Sequence, residues 1–151
     1  NLQGDEPDID VNDIRNLNNL ILKNDSEIGT LAAKIKDKAI FSNSNVVKVI
    51  TKNEIIDNNF SLALDFTRKV NEDTKKNTYH HIGIYAYKTS ILERIVNLNQ
   101  SENEIKNQLE QLRAMDNGIK INVTLAKSSP ISIDTMEDYE KVKKKLLETK
   151  N

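Results

Sequence analysis

The 151-residue sequence contains no cysteine and no tryptophan. The missing cysteine excludes a disulfide framework, a Cys-ligated zinc or iron–sulfur site and a thiol nucleophile. Glycine and proline are scarce, at four and two residues. No Gly-rich phosphate loop, G-x-S-x-G elbow or H-E-x-x-H pair is present. No apolar run approaches the ~18 residues of a membrane-spanning helix, so no membrane insertion is expected. An excess of one charge is also lacking. Lys+Arg number 22 against 23 Asp+Glu, a net charge of -1. Such a chain has no global attraction to nucleic acid or to an anionic membrane, and neither is expected as a partner.

What is present starts with Asn, Ile and Lys, at 20, 18 and 18 residues. The excess runs through the good strand segments too, so we read it as AT-rich coding and not as disorder. The length is roughly that of one domain. The sequence opens on Asn1-Leu2-Gln3-Gly4-Asp5-Glu6-Pro7, without Met, like the end of a strand entering a loop. We therefore expect residues 1–151 to be a fragment whose first part is missing.

Periodicity divides the chain into alternating elements. Asp10 reads as the cap of a helix in which Val11, Ile14, Leu17 and Ile21 recur at helical spacing, with Asp13 at its positive end. Strands are expected at 28–35, 46–50, 60–66, 81–87 and 119–126, rich in β-branched residues. Residues 37–45 read as a connector with a short helical turn, and 53–59 as a turn. Helices are expected at 89–98, 102–115 and 136–147. In the second, Ile105, Leu109 and Leu112 mark the buried stripe. In the last, Met136, Tyr139, Val142 and Leu146 share a face. The alternation argues an α/β fold with a largely parallel or mixed sheet. The polar stretch 68–79 is the best loop candidate, and 60–80 could protrude from the sheet or serve dimerisation.

Candidate chemistry sits at strand ends, where open α/β sheets collect ligands. Asp5 follows the first strand-like segment, where Gly4 lets the backbone turn or approach a ligand. Asp134 follows Ile131-Ser132-Ile133. Together the two carboxylates could hold Mg²⁺, which takes oxygen ligands. Asp134 equally reads as a helix N-cap with Glu137 three residues on. His80 and His81 point to opposite faces of a strand and cannot readily chelate one ion. The same alternation puts Ile82, Ile84 and Ala86 on a core face and His81, Gly83, Tyr85 and Tyr87 on the other. That second face suits a polar ligand or is an ordinary half-exposed strand surface. Glu110 and Gln111 project off the apolar stripe of their helix. Arg68 could clamp a carboxylate or phosphate bidentately. Plain surface roles remain open for these three.

Four motifs in order complete the reading: Gln3-Gly4-Asp5-Glu6-Pro7, the His81–Tyr87 strand, Leu109-Glu110-Gln111-Leu112-Arg113 and Ile133-Asp134-Thr135-Met136-Glu137-Asp138. Asn45-Val46-Val47-Lys48-Val49 and Asp65-Phe66-Thr67-Arg68 sit where similar stretches are found. The chain thereby resembles the 3-deoxy-manno-octulosonate cytidylyltransferases, or CMP-Kdo synthetases, over essentially its whole length. The resemblance implies an α/β fold of the nucleotide-diphospho-sugar transferase type, a Rossmann-like three-layer sheet that is incomplete here. It implies transfer of CMP from CTP to the anomeric hydroxyl of Kdo, releasing pyrophosphate, for lipopolysaccharide synthesis by a cytoplasmic homodimer. It implies Mg²⁺ on Asp5 and Asp134, and Kdo contacts from Gln3, Arg68, His81, Tyr85, Glu110 and Gln111, with Arg68 on the carboxylate. The family's basic I-P-A-R-x-x-S-x-R-L-P-G-K type loop has no match here, so residues 1–151 are expected to be the C-terminal portion of a single larger domain and to be inactive alone. Two alternatives are a cytidylyltransferase for another 2-keto sugar acid, such as a nonulosonate, and a fragment that only dimerises or binds sugar acid.

Overall fold

A computed structural model describes residues 1–2, 7, 9–70, 72–127, 133 and 136–148. The elements run α1 (Val11–Asn24), β1 (Ile28–Ala33), α2 (Ala39–Ser42), β2 (Lys48–Thr51), β3 (Ser61–Thr67), a 3-10 helix (Glu72–Asn77), β4 (Thr78–Tyr87), α3 (Thr89–Val96), α4 (Glu102–Asn107), α5 (Gln111–Asp116), β5 (Ile121–Leu125) and α6 (Met136–Glu148). Among the described residues no helix is long and apolar enough to cross a membrane.

The sheet is mixed. β1 lies between antiparallel β4 and parallel β5, and β2 between antiparallel β4 and β3. The strands do not stop at an open edge. Ser61 and Leu62 of β3 pair with Val123 and Asn122 of β5, closing the order β1-β4-β2-β3-β5 into a ring. Two register irregularities, at Thr30/Leu31 and at Ile50/Thr51, supply the curl, because bulges bend and twist a strand locally.

Side chains of β1 alternate between two apolar clusters. Leu31 and Ala33 pack with Leu17 of α1 and with Ile82 and Ile84. Ile28 and Ala32 pack with Val49, Phe66, Tyr79, Ile121 and Val123, and with Leu109, Leu112 and Ala114 from the α4–α5 corner. Helices thus cover both faces of β1. Each fully buried Leu or Ile contributes roughly 1.5–3 kcal/mol. Gly29 lets α1 approach closely: a Cβ there would lie 2.8 Å from Ile21 Cδ1 and 2.9 Å from Leu17 Cδ1, so those side-chain ends would have to shift.

Asp10 caps α1 as expected, its Oδ1 accepting from the Asn12 N–H at 2.8 Å. Asp13 is buried and does more than sit at the helix end: it accepts the Lys127 N–H at 3.0 Å, tying the exit of β5 to α1.

Four expectations need correction. The helix at 102–115 is two helices, because Gln108 adopts the left-handed region at φ 53° and ends α4. Ile105 is 62% exposed and Glu104 takes the inward place in α4, whereas Leu109 and Leu112 of the expected stripe are buried. In α6, Val142 is buried, but Met136 and Tyr139 are exposed. In α1, Val11 is likewise exposed, and the buried stripe is Leu17, Leu20 and Ile21.

Candidate functional site

β4 is ten residues long, and its alternation survives as the sequence implies. Ile82 and Ile84 are buried on the α1 side, with Ala86 packed against them. The opposite face carries a continuous aromatic row. Phe66 of β3 meets His81 edge-on at a centroid distance of 5.0 Å, His81 meets Tyr85 at 5.4 Å, and Tyr85 stacks on Tyr87 at 5.8 Å. His81, Tyr85 and Tyr87 are half-buried.

Electrostatics identify a polar site on this row. Burial pushes the His81 pKa down to about 3, with His80 adding to the effect, so the ring is neutral near pH 7. Burial pushes the Tyr85 hydroxyl well above its ordinary value, and Tyr87 and Glu110 add to it. Tyr87 is raised by burial and by Glu110. The Glu110 carboxylate is thus near enough to both tyrosines to act on them electrostatically. The Tyr85 Oη is itself buried without a hydrogen-bond partner among the described residues. Such orphaned groups are rare and call for a ligand or water.

Glu110 and Gln111 are presented by the corner between α4 and α5. Glu110 is exposed and Gln111 half-buried. The corner is fixed from behind. Arg113 Nε donates to Glu104 Oε2 at 2.7 Å and Nη2 donates to Oε1. Glu104 also closes a capping box with Ser101. The Arg113 hydrogen bond is the main reason that the Glu104 pKa is lowered to about 2.

Arg68 follows β3, two residues beyond Phe66. Its Nη1 donates to the carbonyls of Ser44 and Asn45 at 3.3 and 3.0 Å. Lys48, fully buried, supports the same loop. Its Nζ donates to the carbonyls of Asn43, Val46 and Arg68 at 2.6, 2.9 and 2.7 Å, which uses all three of its donors. Burial and then the Arg68 charge lower its pKa.

The structure thus brings His81 and Tyr85 together, presents Glu110 and Gln111 on the α4–α5 corner with Glu110 near enough to influence Tyr85, and sets Arg68 at the end of the strand whose Phe66 touches His81. Gln3, Asp5 and Asp134 lie outside the described residues. Among the described residues no group of three or more His, Cys, Asp or Glu could hold a metal ion. Sequence reasoning passed over Lys48 and Thr30. The signal for each was present: a lysine inside the run Val46-Val47-Lys48-Val49-Ile50, and a threonine inside the otherwise apolar strand Ile28–Ala33.

Comparison with known proteins follows the same lines. The family described as Cytidylyltransferase matches residues 1–121. The 3-deoxy-manno-octulosonate cytidylyltransferase of Bartonella bacilliformis is 38% identical over 144 residues, covering 95% of this chain and 58% of that protein. The protein of the same name from Brucella anthropi is 37% identical over 143 residues, covering 95% and 57%. The chain therefore spans less than two thirds of these relatives. Among solved structures, a CMP:2-keto-3-deoxy-manno-octonic acid synthetase complexed with CTP superposes with a TM-score of 0.85 at 30% identity, over 99% of this chain and 61% of that one. Apo UDP-glucose pyrophosphorylase superposes with a TM-score of 0.63 at 15% identity, over 99% and 51%, a likeness of fold alone.

Proposed function

The chain belongs to the cytidylyltransferase family, and from that premise we propose that the protein transfers CMP from CTP to Kdo, giving CMP-Kdo and pyrophosphate. Its fold is the α/β nucleotide-sugar transferase type. The observation that carries the proposal is the Tyr85 hydroxyl, buried beside His81 and without a hydrogen-bond partner among the described residues. A polyhydroxylated ligand would supply such a partner.

Arg68 would take the sugar acid's carboxylate, because a guanidinium matches a carboxylate in shape and charge. The row His81–Tyr85–Tyr87, backed by the buried Phe66, would form the sugar's floor, with Glu110 and Gln111 closing over it and Gln3 adding a further contact. The anomeric hydroxyl then attacks the α-phosphorus in line, a step that depends chiefly on positioning and charge neutralisation. Asp5 and Asp134 are hard oxygen donors, a set that suits Mg²⁺, which would neutralise phosphate charge when bound. A role in lipopolysaccharide synthesis, a cytoplasmic location and a homodimer belong to the same proposal, with the exposed part of 60–80, Leu64 and Lys69 included, as the proposed dimer surface.

A coupled pyrophosphate assay on the full-length protein tests the reading. Turnover is expected with Kdo. Turnover with a nonulosonate and none with Kdo would replace it by the related cytidylyltransferase. Asp5→Asn or Asp134→Asn should remove most turnover with the melting temperature unchanged, and near-normal rates at saturating Mg²⁺ would refute the metal assignment.

A further inference from the structure

Thr30 occupies the middle of β1 and is fully buried. Opposite it, the β4 register jumps: Thr30 pairs with Tyr85 and Leu31 with Ile82, leaving Gly83 and Ile84 looped out between them. The jump turns two carbonyls and one imidazole onto a single hydroxyl. Thr30 Oγ1 lies 2.8 Å from the Ile84 carbonyl, 3.3 Å from the Ile82 carbonyl and 3.1 Å from His81 Nε2.

A hydroxyl has one proton and two lone pairs, and a carbonyl oxygen can only accept. The Thr30 proton is therefore spent on the carbonyls, Ile84 at the shorter distance. Toward His81 the hydroxyl is left as an acceptor, so the ring nitrogen facing it must carry hydrogen. We propose that Thr30 is a positioning residue that holds His81 as the Nε2–H tautomer, so that His81 meets the ligand through a bare, hydrogen-bond-accepting Nδ1.

The rest of the ring's surroundings agree. Phe66 and Tyr85 hold its plane by edge and tilted contacts. Among the described residues Nδ1 has no hydrogen-bond partner, and a neutral ring leaves it unprotonated. The consequence is a division of labour. A carboxylate cannot bind an acceptor nitrogen, so the ligand group at His81 is a hydroxyl, and the acid group must go elsewhere, to Arg68. This deepens the proposed function and rests on it for the identity of the ligand, but the tautomer itself does not.

The experiment is long-range ¹H–¹⁵N spectroscopy of histidine-labelled full-length protein near pH 7.5, with the His81 signals assigned by their loss in His81→Asn. The wild-type Thr30 protein should show a protonated Nε2 and a bare Nδ1. Thr30→Val, nearly the same shape without the acceptor, should shift the ring toward Nδ1–H. The same substitution in the otherwise wild-type protein should raise KM for Kdo about tenfold, with kcat and KM for CTP little changed. Thr30→Ser should restore both the spectrum and the KM. A role in packing alone would lower the melting temperature of Thr30→Val without moving the tautomer or splitting the two KM values, and would overturn the proposal. So would Nδ1–H in the protein with Thr30 intact, a result that needs no variant at that position to fold. If the protein does not turn over Kdo, the proposed function fails, while the tautomer still decides the assignment of Thr30.

Discussion

Two cations support the site from behind, and the protein satisfies them in different ways. Arg113 at the α4–α5 corner is matched by a carboxylate, Glu104, so the pair is close to neutral. Lys48, beneath the loop that Arg68 also grips, is matched by three backbone carbonyls and by no carboxylate in those contacts. Carbonyl dipoles satisfy the hydrogen bonds but leave the net charge in place. The first arrangement gives rigidity with little field. The second gives rigidity together with a buried positive charge beside a second one, which is what a binding site for an acid requires.

The largest expected effect breaks the neutral pair. Glu104→Ala or Arg113→Met should lower the urea midpoint more than any other single substitution considered below, because each strands the other partner, and Glu104 has only 3% of its side chain exposed. The double replacement Glu104→Met with Arg113→Leu should recover much of that loss. If it does not, the pair contributes more than charge balance.

Next comes Lys48→Met. It orphans three carbonyls but removes a desolvated charge, so the net cost should be about 1–3 kcal/mol. Its signature is functional: KM for the sugar acid should rise by about tenfold or more, with KM for CTP little changed. If the Glu104/Arg113 double variant raises the sugar-acid KM equally, the distinction between field and scaffold fails.

A third test uses pH. His81 has a folded pKa of about 3 against 6.5, so the unfolded chain binds its proton first. Its contribution is complete above about pH 6.5 and is lost as pH falls toward 3. Glu104, held at about 2 against 4.5, contributes fully above about pH 4.5 and loses this as pH falls through 2. Melting temperature should therefore decline in two stages on acidification. His81→Asn should flatten the upper stage and Glu104→Gln the lower one.

The smallest effect is expected from a third kind of cation. Lys88 contacts Asp25 at 2.5 Å, but the Asp25 side chain is 90% exposed. Lys88→Ala should change stability by no more than about 0.5 kcal/mol, read by thermal melting. A larger loss would mean that solvent exposure does not rank these three cations.

The same contrast explains what was legible in the sequence. Where apolar patterning decides the structure, the sequence spoke plainly. The strand at β4, its two faces and the cap of α1 follow from periods of 2 and 3.6. His81 and Tyr85 could be placed on one face for that reason. Where polar satisfaction decides, periodicity misled. Ile105 looked inward and is exposed, because the inward place went to Glu104, whose partner nine residues on has no periodic signature. The helix break at Gln108 was hidden for the same cause. Lys48 sat in plain view inside a β-branched run, yet its three acceptors come from residues as distant as Arg68. Ring closure was equally unreadable, since it depends on two register jumps that no local pattern encodes. Thr30 is polar in a buried strand, which marks it as unusual, but its role depends on a bulge in another strand.

The scarcity of aromatic residues has an optical consequence. Without tryptophan, near-ultraviolet absorption and emission come chiefly from four tyrosines. Three of them, Tyr79, Tyr85 and Tyr87, belong to β4. Tyr79 is locked by its hydroxyl accepting from the Ile55 N–H at 3.0 Å, while Tyr85 and Tyr87 stack on each other along the aromatic row. The chromophores are thus concentrated on the strand that forms the floor of the site. Within this chain, ligand binding there would register as a change in tyrosine signal, with Tyr139 on α6 as the one tyrosine outside that strand.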